Sequence, residues 1–222
     1  MRVTFPIMRM QKISLTLSLL ATLVLPLCAQ DTDDADEAAK KSPQFPSPDG
    51  QFAFRYGKAE PKAGADDEIE TFDLIDAHSG NVLQRVAESD PNMGASARFS
   101  MEVLWKSDGK AFAVTAEFWK RGTTLLVFVR NGEKFRKVHL PVLAADITDK
   151  AKQGKTFAKA TQVQSQTAKE WRKDGSLLVE IESTEDGAEG SITATRTVVL
   201  GFDKTSKARV LKSNIKFASD KE

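Results

Sequence analysis

Residues that carry chemistry are scarce in this 222-residue sequence, which holds one cysteine, two histidines and one tyrosine. Cys28 has no partner within the chain, so no intrachain disulfide can hold the fold and a hydrophobic core must do so. The sequence also lacks a Gly-x-Ser-x-Gly elbow, a phosphate-binding glycine loop and a His-Glu-x-x-His zinc signature. His78 falls in a predicted turn and His139 at a predicted strand end. Two isolated imidazoles without ligand spacing read as surface residues, not as a catalytic base or a zinc site. Neither a metal nor a cofactor is expected. Carboxylates are the exception to this scarcity, because Asp and Glu number 31. Two of them could face each other across a cleft and leave no trace in the sequence, so a carboxylate-dependent hydrolase stays open as an alternative.

Long apolar runs are missing too. The stretch Ile13 to Leu25 is 13 residues long, whereas a membrane-spanning helix needs roughly 20. It follows Arg2, Arg9 and Lys12 and ends in Pro26-Leu27-Cys28-Ala29, the pattern of a secretory signal peptide over residues 1–29, with cleavage after Ala29 or Gln30. Periplasmic or secreted localisation follows, with no transmembrane span once the signal is removed. Cys28 raises the alternative of a lipoprotein, but Leu27 stands where a lipid-attachment motif wants a small residue. Removing the three basic residues leaves 29 basic against 31 acidic, a net charge of −2. That near-neutral balance lacks the basic footprint of a nucleic-acid binder.

Residues 30–42 are Asp, Glu, Ala and Lys without apolar periodicity, and read as a disordered acidic tail. Asp31, Asp33, Asp34 and Asp36 have neither the glycine nor the terminal glutamate of a calcium loop, so they read as solvated charge.

What the remaining sequence, residues 43–222, does have is hairpins. Leu104-Trp105-Lys106-Ser107-Asp108-Gly109-Lys110-Ala111-Phe112-Ala113-Val114 is a strand, a tight Asp-Gly turn and a second strand. Phe99, Met101, Val103 and Trp105 alternate with Ser100, Glu102 and Leu104 before the turn, and Phe112, Val114 and Ala116 continue one face after it. Gly109 is expected at positive φ, where a side chain would be resisted. The same order of residues occurs at Ser47-Pro48-Asp49-Gly50-Gln51-Phe52 and at Trp171-Arg172-Lys173-Asp174-Gly175-Ser176, the last with one residue fewer. Asp49, Asp108 and Asp174 stand 59 and 66 residues apart, which makes three repeat-like units. Each unit has a second turn, at His78-Ser79-Gly80-Asn81, Arg130-Asn131-Gly132-Glu133 and Asp203-Lys204-Thr205-Ser206. Leu125 to Val129 is apolar without interruption, so its strand belongs inside a sheet covered on both faces. Leu143, Ile147 and Ala151 recur every four residues after Pro141, which predicts a short helix over 142–153. Thr184 to Gly190 reads as a long acidic, glycine-rich hairpin tip. The expected fold is therefore mainly β, an antiparallel meander of about eleven strands with one short helix.

The three hairpins, above all Ser47-Pro48-Asp49-Gly50 and Trp105 to Val114, resemble those of WD40-like and TolB-type β-propeller repeats. The resemblance implies blade-like units. Propellers of that kind close with four or more blades of roughly 40 to 45 residues, and this chain supplies three wider ones. Either three sheets pack in another way, or the hairpins belong to one or two larger sheets.

Trp105 and Trp171 precede their turns at the same offset and read as core landmarks. Phe118-Trp119-Lys120-Arg121-Gly122 lies at the tip of the central hairpin, and an outward Trp beside two cations has the composition of a binding hot spot. Trp119, Lys120 and Arg121 are therefore the candidate binding residues; the competing reading folds Trp119 back over a strand. Taken together, the inventory points to an exported, non-enzymatic β-domain that binds a protein, peptide or glycan in the cell envelope.

Overall fold

The computed structural model describes residues 42–60, 68–89, 99–117, 122–188 and 190–220. Its strands form three separate antiparallel sheets, so the units are not parts of one larger sheet. The first holds β1 (Phe52–Ala59), β2 (Ile69–Asp76) and β3 (Val82–Glu88); the central one holds β4 (Ser100–Trp105), β5 (Ala111–Glu117), β6 (Thr124–Asn131) and β7 (Lys134–Lys137). A one-turn helix, α1 (Asp149–Lys152), precedes the third sheet of β8 (Ala158–Trp171), β9 (Leu177–Gly187), β10 (Gly190–Phe202) and β11 (Ala208–Asp220). Every sheet is a meander, with strands adjacent in the order of the chain.

Period-two alternation decides how the sheets stack. On the central sheet, Met101, Phe112, Val114, Leu126 and Phe128 face the first sheet and join Phe52, Phe54, Phe72 and Leu74 in one core. The intervening residues Ala113, Leu125 and Val127 face the third sheet and join Leu177, Val179, Ile181, Val198 and Leu200 in a second core. The uninterrupted apolar run of β6 thus has the reason expected for it: its two faces serve two cores. The first core is aromatic, with Phe54 stacked on Phe72 at 5.0 Å and Phe112 on Phe128 at 4.9 Å between ring centroids. Its counterpart is aliphatic.

The three Asp-Gly turns are equivalent. Gly50, Gly109 and Gly175 donate their amides to Ser47, Lys106 and Arg172 carbonyls, each at 2.9 Å, and hold φ of +69°, +66° and +82°. The next bond outward runs from Ser47 to Phe52, Lys106 to Ala111 and Arg172 to Ser176, the last one residue shorter, as the sequence is. Turns of successive sheets also lie side by side, since a Cβ on Gly109 would stand 3.3 Å from an Asp49 carboxylate oxygen.

Both tryptophans work between sheets. The Trp105 indole donates to the Phe45 carbonyl of the first unit at 2.9 Å, and the Trp171 indole donates to the Leu104 carbonyl of the second at 3.0 Å. Counted from the turn aspartates, donor and acceptor occupy the same offsets in both cases. Each Trp thereby fixes its own sheet to the preceding one, and in the first unit Pro46 takes the Trp position. The Tyr56 hydroxyl adds a further tie by accepting from the Met101 amide at 2.8 Å, and burial pushes its pKa up.

Two expectations need correction. The helix predicted over 142–153 is only Asp149–Lys152, capped by the Thr148 hydroxyl, while residues 141–147 form no helix and bury Leu143 and Ala145 in the second core. Side chains take the carbonyls that a helix would use: Gln166 donates to Leu143 at 2.8 Å, and Arg196 donates to Ala144 at 2.8 Å. The hairpin tip predicted over Thr184 to Gly190 is also shorter, because pairing continues to Gly187 opposite Gly190. Glu185 faces inward there and meets the Lys152 ammonium at 2.7 Å, and the Thr184 and Thr193 hydroxyls bond at 2.9 Å on the other face. An acidic sequence can extend a strand when its charge finds a buried partner.

Candidate functional site

The proposed hot spot Trp119, Lys120 and Arg121 lies outside the described residues. Its base is described: Gly122 bridges in parallel to Gln164 of β8, at φ +133°, and a Cβ there would come within 2.2 Å of the Gln164 carbonyl oxygen. Beside it, the Thr123 hydroxyl accepts from the Gln166 amide at 3.0 Å. The tip of the central hairpin is thus tied to the third sheet at its root.

The shared geometry of the three turns gathers carboxylates, each bonded within its own turn. Asp49 is held below the usual carboxylate range by the Ser47 hydroxyl at 2.6 Å, and Asp174 by the Ser176 hydroxyl at 2.6 Å. Burial raises Asp108, but its bonds to the Lys106 ammonium and the Lys110 amide outweigh that and bring it down as well. Every one of these carboxylates is engaged in shaping its own turn. Among the described residues, no group of three or more His, Cys, Asp or Glu is placed to hold a metal ion.

Buried carboxylates are the residues a hydrolase would need, and Asp73 and Glu185 are the buried ones among the described residues. They sit on different sheets. Asp73 accepts from Arg85 at 3.0 Å and from the Thr71 hydroxyl at 3.1 Å, while Glu185 is paired with Lys152. His78 and His139 are both exposed.

The feature that folding leaves unexplained is the last strand. Along Ser191 to Leu200, Ala194, Val198 and Leu200 are buried in the second core, while Thr193, Thr195 and Thr197 lie on the opposite face with the buried Val199. The Asp203 carboxylate then accepts from the Thr205 and Lys207 amides at 2.8 and 3.0 Å and reverses the chain, with its pKa lowered first by the Lys207 bond. Returning, β11 pairs with β10 along its length, except that Leu211 is an extra residue between Val210 and Lys212. Leu211 lies over Gly201, where a Cβ would meet its side chain at 2.8 Å.

The register assigns each face of β11. Ile215 and Phe217 stand opposite Arg196 and Ala194, so with Val210 they form an apolar stripe on the inward side. Arg209, Lys212 and Lys216 stand opposite Gly201, Val199 and Thr195, and form a basic stripe on the outward side. Val210, Leu211, Ile215 and Phe217 are 36%, 51%, 39% and 41% exposed.

Among the described residues, its far edge is paired only at the start. At the start of β11, the Ala208 amide donates to the His139 carbonyl at 2.9 Å and His139 bridges in parallel to Lys207. Pro141 follows, with no amide to donate, and the chain departs toward the exposed Val142. From Arg209 on, β11 has no further strand partner on that side among the described residues.

Two other edges are guarded in ways natural sheets use. β7 is four residues long and reads Lys-Phe-Arg-Lys, and β3 is broken by two register shifts against β2. β11 has 13 residues and one shift, with an apolar stripe besides. The predicted turn at Asp203-Lys204-Thr205-Ser206 implies a returning strand but not its edge, because the extra residue Leu211 breaks the alternation that would have displayed the two stripes.

No family model matches the chain, and no match is found among curated proteins or among solved structures.

Proposed function

We propose that this protein is a non-enzymatic binding domain, exported to the cell envelope, that takes up an extended segment of another polypeptide along the open edge of β11. The observation that carries the reading is one strand of 13 residues whose edge has no strand partner from Arg209 on among the described residues, with Val210, Ile215 and Phe217 exposed. An added strand satisfies the free amides and carbonyls of such an edge, and its side chains extend both stripes. The parallel bridge from His139 supports the reading, since the chain itself already uses the first positions of this edge. Trp119, Lys120 and Arg121 belong to the proposal only as a second contact, from the hairpin rooted at Gly122. The resemblance to WD40-like and TolB-type repeats also belongs here, supported by the common bonding of the three turns. No observation favours the hydrolase alternative, because Asp73 and Glu185 are on different sheets and each has its own cation.

Binding is tested with a fluorescent peptide of about twelve residues that alternates Val and Thr, long enough to line the open edge. It is expected to bind the protein and to lose at least about tenfold in affinity when Ile215 and Phe217 are both replaced by Lys, with the fold unchanged by circular dichroism. Equal binding to both proteins overturns the assignment to β11. Export is tested by mass spectrometry of the native protein. A chain beginning near Gln30 supports it, an intact amino terminus in the cytoplasm contradicts it, and a diacylglyceryl adduct on Cys28 replaces it with the lipoprotein reading.

A further inference from the structure

The stripes of β11 differ in chemistry, and this difference specifies what can lie beside them. On the outward face, Lys212, Asn214 and Lys216 stand opposite Val199, Thr197 and Thr195 of β10, none of which carries charge. The nearest carboxylates on that face, Glu180 and Glu182, are on β9, two strands or about 9.5 Å away. Glu180 is already paired with Lys169 at 2.8 Å. Arg209, Lys212 and Lys216 form no ion pair among the described residues, and every described position of β11 from Arg209 to Ser219 is exposed. The strand therefore presents on one face three cations without an ion pair among the described residues, and Val210, Ile215 and Phe217 on the other.

Resting on the strand-addition reading above, we infer that the β11 edge selects an extended peptide segment in which apolar and acidic residues alternate. In an added strand, side chains directly opposite those of β11 share its faces. Apolar residues at every second position would extend the stripe of Ile215 and Phe217, and the residues between them would stand beside Lys212 and Lys216. Opposite charges there are favourable, and like charges directly opposite are not. The same argument disfavours a second copy of this chain as the occupant. Joining two β11 strands edge to edge sets one basic stripe beside an identical one, and Asp220 is the only carboxylate of the strand. A carbohydrate would use neither the strand's free amides in register nor its alternation.

The experiment compares three fluorescent peptides of about twelve residues, alternating Val with Glu, Val with Thr and Val with Lys, titrated by anisotropy into the protein without its first 29 residues. The Val-Glu peptide is expected to bind at least about tenfold more tightly than the Val-Thr peptide, and the Val-Lys peptide most weakly. Raising the salt to about 0.5 M should shrink the spread, since the charges involved are exposed. In a Lys212→Glu/Lys216→Glu variant the order should invert, with Val-Lys the tightest. This charge exchange protects the test from trivial loss, because an unfolded variant would bind no peptide better than before. Equal affinities for the three peptides, or an unchanged order in the variant, would overturn the selection of acidic segments while leaving strand addition standing. If none of the three binds, strand addition itself fails, and concentration-dependent dimerisation in sedimentation would instead make a second copy the occupant.

Discussion

β5 and β11 are both strands with apolar residues at alternate positions, yet one is enclosed on each face and the other is exposed along nearly its whole length. Phe112 of β5 is 0% exposed and touches Phe54, Trp105, Phe128 and Phe135, whereas Phe217 of β11 is 41% exposed and makes no ring contact among the described residues. For β5, burial between two cores accounts for every apolar side chain. For β11 it does not, since the second core is complete with Ala194, Val198 and Leu200 of the neighbouring strand. An apolar stripe that folding does not use is the part of the surface where a partner is to be sought.

The contrast can be broken most sharply by truncation. Phe112→Ala should cost about 3–5 kcal/mol in a urea melt, because the cavity opens where four rings meet. Gly109→Val should follow at about 1–3 kcal/mol: the residue holds φ +66°, and its new side chain would press on the Asp49 carboxylate. Trp171→Phe keeps much of the packing but leaves the Leu104 carbonyl without the indole, at about 1–2 kcal/mol. On the other strand, Phe217→Thr should cost about 1 kcal/mol or less, as expected at a half-exposed edge, and His78→Ala and His139→Ala less than about 0.5 kcal/mol. A large loss at Phe217 would show that β11 serves the fold after all.

Acid provides a gentler probe of the turns. Asp49, Asp76, Asp108, Asp174 and Asp203 all have pKa values lowered in the folded chain. A lowered carboxyl contributes stability that is present above its unfolded value near 3.8 and is lost as pH falls through the lower folded value. The urea midpoint should therefore decline from about pH 5 downward, and Asp174→Asn should decline less steeply than the wild type.

The parts of this fold that were legible in the sequence are those fixed by local rules. Asp108-Gly109, Asn131-Gly132 and the alternation from Phe99 to Ala116 act within a few residues, so turns, strands and the doubly buried β6 follow from them. Longer-range competition hid the rest. Leu143, Ile147 and Ala151 have the spacing of a helix, and it is Gln166 and Arg196, distant in sequence, whose side chains take the Leu143 and Ala144 carbonyls instead. Glu185 looked like a loop residue until Lys152 was placed beside it. The indoles of Trp105 and Trp171 were identifiable as landmarks, but which carbonyls they would reach depends on the stacking of whole sheets. The open edge was least legible of all, because an edge is defined by which strands fail to arrive.

Hydrogen exchange with and without the Val-Glu peptide tests the central claim most directly, with the guarded edge of β7 as the internal reference. The account predicts slower exchange within 209–219 when the peptide is present, and no change at Lys134–Lys137. Bound peptide with unchanged exchange along β11, or with equal slowing at both edges, would contradict it.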